Sequence, residues 1–589
     1  MVEDPMSPES NSSWWESNDP SGVPDYLKPY IGLPSEGSGR ATEPNRRRPD
    51  ILLGWAVGPE GKGHPVGLTL GELESHVLIV GGTGFGKTIA AKKLCLEFRR
   101  RGLSCLVFDV KGEYTRLPGA TVLKPGEGLC LSPPRPEVLE RAASDSFIAS
   151  TVDMLVYAIS RSSPGGDDAS LSYAMEDILF RAVERIVLDG KPLSELIREL
   201  WSVPGPQVSK RALSSRLRSL YMEPLSLALR CSGGLELGSG KLIVADLSEF
   251  WRYSHRQLIA ASTLLLSHIR LSAAKRAASS RASQPDTIVI VDEAPTLAPP
   301  RSPSESLLAE LARTIRSGRV SLAIVSQTFR GLRGDLRSSI GSLIAFGVTD
   351  SGEARAIAES IGPGIDTTEI QGLDKFHFIL GGSSVKEPVF GVVDRDSVIA
   401  AEKRNAIESL KERILELIRK EPCLPARERR ARLGVNGNYY SLAVESLIRE
   451  GKISVVNLKW GWGRPITLYE ILPRRGPGVL HKCIAERIYN LLRQSLKGVE
   501  VKVEYRGADI ALVKGDLRIA IEVETGSNIV RGKYLNLLEE RGFNHIIVLV
   551  DSKQRKRLEK VAEGLPIEIV DFKRAPKVLL NVVRELLST

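Results

Sequence analysis

The run Gly81-Gly82-Thr83-Gly84-Phe85-Gly86-Lys87-Thr88 follows an apolar stretch, Val77 to Val80, and precedes a helical segment. Glycines at this spacing let backbone N–H groups wrap phosphate oxygens at a helix N-terminus. Lys87 then adds a point charge for the outer phosphates, and the Thr88 hydroxyl can ligate magnesium. A second apolar run, TIVIV, ends in Asp292-Glu293. One carboxylate there suits a hydrated magnesium ion and the next suits polarising the attacking water. A third run, SLAIVSQT, delivers Ser326-Gln327, whose amide could contact the terminal phosphate or the water. Together these residues predict binding and hydrolysis of ATP with Mg2+, with Thr88 and Asp292 as metal ligands and Lys87, Glu293 and Gln327 as catalytic groups.

Chemistry of this kind needs strands that end together. From about Ile51 to Ile399 short apolar runs alternate with helical segments: 77–80, 103–110, 241–248, 287–294, 321–328 and 342–349. Near-continuous apolar strands separated by helices predict an α/β fold with a parallel sheet covered on both faces. Residues 145–235 predict a helical insertion. The 589-residue length implies several domains. A hydrophobic content of 42% with 26% charged residues excludes fibrous, disordered and membrane classes. No apolar run reaches the roughly 20 residues of a bilayer span. The most apolar helical stretch, Leu258 to Leu271, is broken by Ser262, Ser267, His268 and Arg270. A cytoplasmic protein is expected. Its six cysteines are dispersed and never form CxxC pairs, so neither disulfides nor zinc are expected. Residues 1–48 hold seven of the 34 prolines and read as a disordered tail.

The stretches GLTLGELESHVLIVGGTGFGKT, FDVKGEY with Asp109 and Glu113, IVDEAPTLAPP and LARTIRSGRVSLAIVSQT resemble the HerA and FtsK superfamily of DNA-translocating ATPases, specifically the archaeal HerA-like group. The resemblance spans about 51 to 395. It implies a P-loop RecA-like ASCE core over 49–400, a homo-hexamer with ATP between subunits, an arginine acting in trans and double-stranded DNA in the pore. Arg313 and Arg316 stand in the segment resembling the family's LAR-x-x-R stretch and are the trans-acting candidates. The chain departs from HerA in lacking a full β-barrel before the P-loop strand. The family also implies a nuclease partner. The alternative is a DNA-pumping ATPase docked on a membrane channel protein.

Beyond Ala400 the pattern changes. Residues 405–475 hold 14 Lys or Arg against eight Asp or Glu, so +6 of the net charge of +10 lies there. Three helices and a hairpin in this segment resemble a winged helix, with 436–450 as the groove helix and Lys459, Trp460, Trp462 and Arg464 in the wing. Arg427, Arg429, Arg430 and Arg432 suit phosphate contacts. Residues 476–589 carry Asp509 on one strand and Glu522-Val523-Glu524 on the next, with Glu486 on the preceding helix. This resembles the PD-(D/E)xK restriction-endonuclease-like fold, in which Asp509 and Glu522 would hold Mg2+ or Mn2+ for DNA cleavage. Glu524 occupies the place of the usual lysine, and Lys533 would supply the amine.

Overall fold

A computed structural model of the chain describes residues 48–588, apart from 59–60, 133–140, 161–170, 219–220, 232–236, 239, 280–283, 461–463, 475–476 and 527–528. The tail expected over 1–48 therefore lies outside the described residues but for Arg48, and so does Trp462. Two compact units divide the chain between Lys403 and Arg404.

In the first unit, the strands are β1 (Ile51–Gly58), β2 (Gly61–Leu68), β3 (Val77–Val80), β4 (Ser104–Asp109), β5 (Ala120–Pro125), β6 (Gly128–Leu129), β7 (Leu242–Asp246), β8 (Thr287–Val291), β9 (Val320–Ser326), β10 (Ser342–Phe346), β11 (His377–Gly381) and β12 (Val389–Val393). They form one sheet in the order β2-β1-β12-β11-β10-β3-β9-β8-β4-β7-β5-β6. All six strands expected from the apolar runs are present, and they lie side by side and parallel from β10 to β7. Beyond these six strands the sheet continues on one flank, where β10, β11, β12, β1 and β2 pair antiparallel. A parallel neighbour needs a long crossover. Only the short segment 382–388 joins β11 to β12, so they return as a hairpin.

Burial on both faces explains the continuous apolar runs. Every residue of β3, β4, β8 and β9 is buried. Within β3, Leu78 and Val80 belong to one core, Val77 and Ile79 to the other. The first core also holds the helices of the expected insertion, Arg141–Ser160 and Tyr173–Leu188, packed with the long helix His255–Ser279. Helix Lys87–Arg100 supplies Ala90, Leu94 and Phe98 to the opposite core. Each large apolar side chain so buried contributes about 1.5–3 kcal/mol, so the strand carrying the phosphate loop is fixed from both sides.

In the second unit, the helix Arg395–Lys420, which begins in the first, is followed by helices Ala426–Leu433 and Gly437–Arg449, with the hairpin β13 (Ile453–Leu458) and β14 (Ile466–Ile471). Helix Val479–Ser495 then leads to a sheet of β15 (Glu500–Tyr505), β16 (Ala508–Lys514), β17 (Leu517–Glu524), β18 (His545–Val550) and β19 (Ile567–Asp571), in sequence order. Leu458 and Leu468 of the hairpin share one core with Ile484 and Ile488 of the helix and Ile510 and Ile519 of the sheet.

The expectation of no disulfide is overturned. Cys130 pairs with Cys231, and Cys423 with Cys483, while Cys95 and Cys105 stay free and buried. Pairing is spatial: Leu131 N–H donates to Ala228 O at 2.9 Å, which brings two remote segments together. Among the described residues no helix is long and apolar enough to cross a membrane.

Candidate active site

Because β3, β9 and β8 are parallel neighbours, their carboxyl ends deliver the P-loop, Gln327 and Asp292-Glu293 to one edge of the sheet. Gly81 must be glycine: a Cβ there would lie 2.5 Å from Phe346 Cβ, at a φ of 154°. Gly86 opens the helix Lys87–Arg100 in the left-handed region, with no side-chain cap for the first N–H groups. Those donors are the ones a phosphate would take. Lys87 is buried and its ammonium donates to Gly82 O at 2.8 Å. Burial lowers its pKa, opposed by the charges of Glu293 and Asp292.

Gln327 joins the elements. Its amide nitrogen donates to both carboxylate oxygens of Glu293, at 3.2 and 3.0 Å, and its oxygen accepts from Thr83 Oγ1 at 3.0 Å. Glu293 itself is a non-glycine residue at φ 52°, ψ 48°. Such a backbone costs on the order of 1–3 kcal/mol and is held only where the surroundings fix it. Asp292 is buried, which pushes its carboxyl up to about 6 against the neighbouring Tyr114 phenol, which lowers it. With the Thr88 hydroxyl at the start of the helix Lys87–Arg100, these hard oxygen donors fit a magnesium ion held jointly with phosphates.

A cleft of about 510 Å3 lies over the loop, lined by Gly84, Gly86, Lys87, Thr88, Lys111 and Phe376 among others. Sequence reasoning missed Lys111 and Phe376, and also Lys92 and Glu402, which form an ion pair at 2.8 Å on the cleft wall. Lys111 was within reach of the motif reading. Asp109 ends β4 and accepts backbone N–H groups from Lys111, Gly112, Glu113 and Tyr114, which folds DVKGEY into a tight loop at the same sheet edge.

Arg313 and Arg316 lie elsewhere, before the amino end of β9, paired with Asp335 at 3.3 Å and Glu74 at 3.0 Å. Buried His76 holds this segment: its Nε2 meets Ala312 O at 2.8 Å and its Nδ1 accepts from Leu322 N–H at 3.1 Å. Burial lowers its pKa to about 4, so the ring is neutral and Nε2 carries the proton.

In the second unit, Asp509, Glu522, Glu524 and Lys533 come together. Lys533 Nζ sits 2.6 Å from Glu522 Oε2 and 2.7 Å from Glu524 Oε1. Asp509 N–H donates to Glu522 Oε1 at 3.0 Å, and Asp509 Oδ2 meets Val523 N–H at 2.8 Å and His481 Nε2 at 3.0 Å. Tyr534 OH donates to Glu524 at 3.0 Å. The strand is not alternately exposed, since Glu522 and Glu524 are 1% and 7% exposed. Helix Val479–Ser495 contributes His481, whereas Glu486 is exposed. Burial and the Asp509 charge raise the Glu522 carboxyl, and the nearby Glu522 charge raises Lys533 against its burial. Among the described residues no group of three or more His, Cys, Asp or Glu is arranged to hold a metal ion. The ammonium of Lys533 bridges the carboxylates of Glu522 and Glu524.

The phosphate-contact reading is corrected for Arg429. It is fully buried and donates to Glu421 O and Leu424 O at 3.0 and 2.9 Å, while Arg427, Arg430 and Arg432 are exposed. Trp460 packs against the core and is not a free wing residue.

A family model described as the central domain of helicase HerA matches residues 51–185. No curated protein matches the chain. Among solved structures, it is similar to VirB4 of Thermoanaerobacter pseudethanolicus, at 17% identity over 59% of this chain and 97% of that one, with a TM-score of 0.47. It is similar also to the bacterial conjugative coupling protein TrwBΔN70 in complex with sulphate, at 16% identity over 56% and 88% of the two chains, TM-score 0.42. A third is the genome packaging NTPase B204 from Sulfolobus turreted icosahedral virus 2, at 12% identity over 54% and 96%, TM-score 0.27. The first unit has the P-loop RecA-like ASCE ATPase core, with β9 between the phosphate-loop strand and the acidic strand.

Two outcomes are expected. Lys87→Ala weakens ATP binding, whereas Glu293→Gln binds ATP and turns it over roughly 100-fold or more slowly; equilibrium binding and phosphate release separate them. Lys533→Met leaves Glu522 and Glu524 facing each other. It should destabilise the chain by about 1–3 kcal/mol, below the range for fully buried pairs because Lys533 is 40% exposed. In that variant Glu522, whose carboxyl burial already raises, has lost its cationic partner, so the loss grows as pH rises above the ordinary carboxylate range, read by thermal melting.

Proposed function

We propose that the chain is an ATP-driven motor that moves double-stranded DNA as a homo-hexameric ring. One observation carries this reading. The groups suited to hydrolysis gather at the carboxyl end of the sheet, while Arg313 and Arg316 sit at the amino end of β9, a seven-residue strand. At about 3.3 Å per residue, the strand alone separates the arginine segment from the end that carries Gln327 by roughly 20 Å. Both are more than half exposed. An arginine so placed can serve hydrolysis only in a neighbouring subunit, which is what a ring provides. The match to the HerA central domain supports the same reading, and the basic segment 405–475 supports a polyanionic partner.

In this reading Lys87 and the loop N–H groups hold the phosphates, Thr88 and Asp292 the magnesium, and Glu293 takes the proton of the attacking water. Bound magnesium supplies charge neutralisation at the outer phosphates. Residues 405–475 act as a winged-helix module whose exposed Arg427, Arg430 and Arg432 face DNA phosphates. The outward side of its groove helix carries Tyr439, Leu442, Glu445, Ile448 and only one basic group, Arg449, so the module contributes backbone attraction more than base reading. The last segment, 476–589, carries the nuclease-like fold. Lys533 compensates its carboxylates in the resting chain, which favours a role in binding DNA over cutting it.

Mixing tests the trans arrangement. Arg316→Ala subunits titrated into wild type should depress ATP turnover more than in proportion to their share, because each one also disables the neighbour's site. Linear dilution would mean that the subunits work alone.

A further inference from the structure

The motif reading leaves Lys111 without a role, yet it touches both halves of the site. Its ammonium pairs with Glu293 and its side chain lines the cleft beside Gly84 and Lys87. Gln327 already gives its amide to both oxygens of the same carboxylate. Glu293 is therefore engaged by two protein donors, whereas a general base needs a lone pair facing the water it deprotonates. An ionised carboxylate offers about four lone-pair sites and these donors take three, so losing Lys111 would open Glu293 further to that water.

Lys111 is built to exchange partners. The loop beneath it is fixed by the backbone N–H groups that Asp109 accepts, but its side chain is 46% exposed and flexible. The terminal phosphate of a nucleoside triphosphate, seated on the helix N-terminus, carries more charge than a carboxylate and arrives in the same cleft. A diphosphate lacks that group.

We propose that Lys111 is a positioning residue for hydrolysis: it holds Glu293 paired while no triphosphate is bound and moves to the terminal phosphate when one arrives, freeing Glu293 for water. The inference rests on the ATPase reading above. In the step that follows, the water oxygen bonds to the terminal phosphorus and the bond from that phosphorus to the bridging oxygen breaks. The electron pair leaves on the diphosphate, and the water proton passes to Glu293 and then to the phosphate released. Lys111 thereby makes the state of the base depend on the presence of the third phosphate.

Competition of ADP and a non-hydrolysable ATP analogue against a fluorescent nucleotide, on the full-length chain, tests this. Lys111→Met should lose on the order of tenfold of the preference for the analogue, the worth of one charge-assisted bond, with ADP affinity unchanged. Lys111→Arg should recover most of it. Glu293→Gln removes the competing anion, so it should tighten analogue binding severalfold, and only while Lys111 is present. A wild-type preference in Lys111→Met, or the same tightening in the double variant, overturns the proposal while leaving the ATPase reading intact. A wild-type chain that binds neither nucleotide overturns both.

Discussion

The wedging of β9 between β3 and β8 is the constraint on which the rest of the first unit depends. The observed register of these three parallel strands brings Thr83, Gln327 and Glu293 into one hydrogen-bonded line. Shifting β9 by one residue would turn its side chains to the opposite faces. Gln327 would then no longer span from the phosphate loop to the glutamate. The same strand carries the arginine segment at its other end, where neutral His76 ties Ala312 and Leu322 to the start of β3. One strand thus fixes both the candidate nucleotide site and the arginine segment.

Charge is handled by the same rule in both units: buried and partly buried carboxylates are matched by nearby donors. Asp109 is satisfied by backbone N–H groups, Glu293 by Lys111 and Gln327, and the Asp509, Glu522 and Glu524 cluster by Lys533, His481 and Tyr534. The partners differ in permanence. A fixed backbone loop cannot leave Asp109, whereas the half-exposed Lys111 can leave Glu293. Lys533 bridges two nearly buried glutamates, so its departure would expose two like charges to each other.

Much of this was legible in the sequence where signals are local. GGTGFGKT, the Asp292-Glu293 pair and Gln327 each follow an apolar run directly, so the strand that positions them is visible beside them. Phe376 and Glu402 reach the cleft from segments with no motif, and only the fold brings them there. Five residues separate His481 from Glu486, about 140° around a helix, so choosing the residue that faces the strand required the helix phase. Counting arginines did not reveal that Arg429 is a buried strut whose guanidinium closes the turn at Glu421 and Leu424. Likewise, cysteine spacing could not disclose pairs that form across remote segments.

The central claim is that ATP turnover belongs to a ring working on duplex DNA. It is tested most directly by measuring ATP hydrolysis with and without linear duplex DNA on particles whose subunit number is counted by electron microscopy. The account predicts six-membered rings whose turnover rises severalfold on adding the duplex. Turnover by single chains, indifferent to DNA, would contradict it.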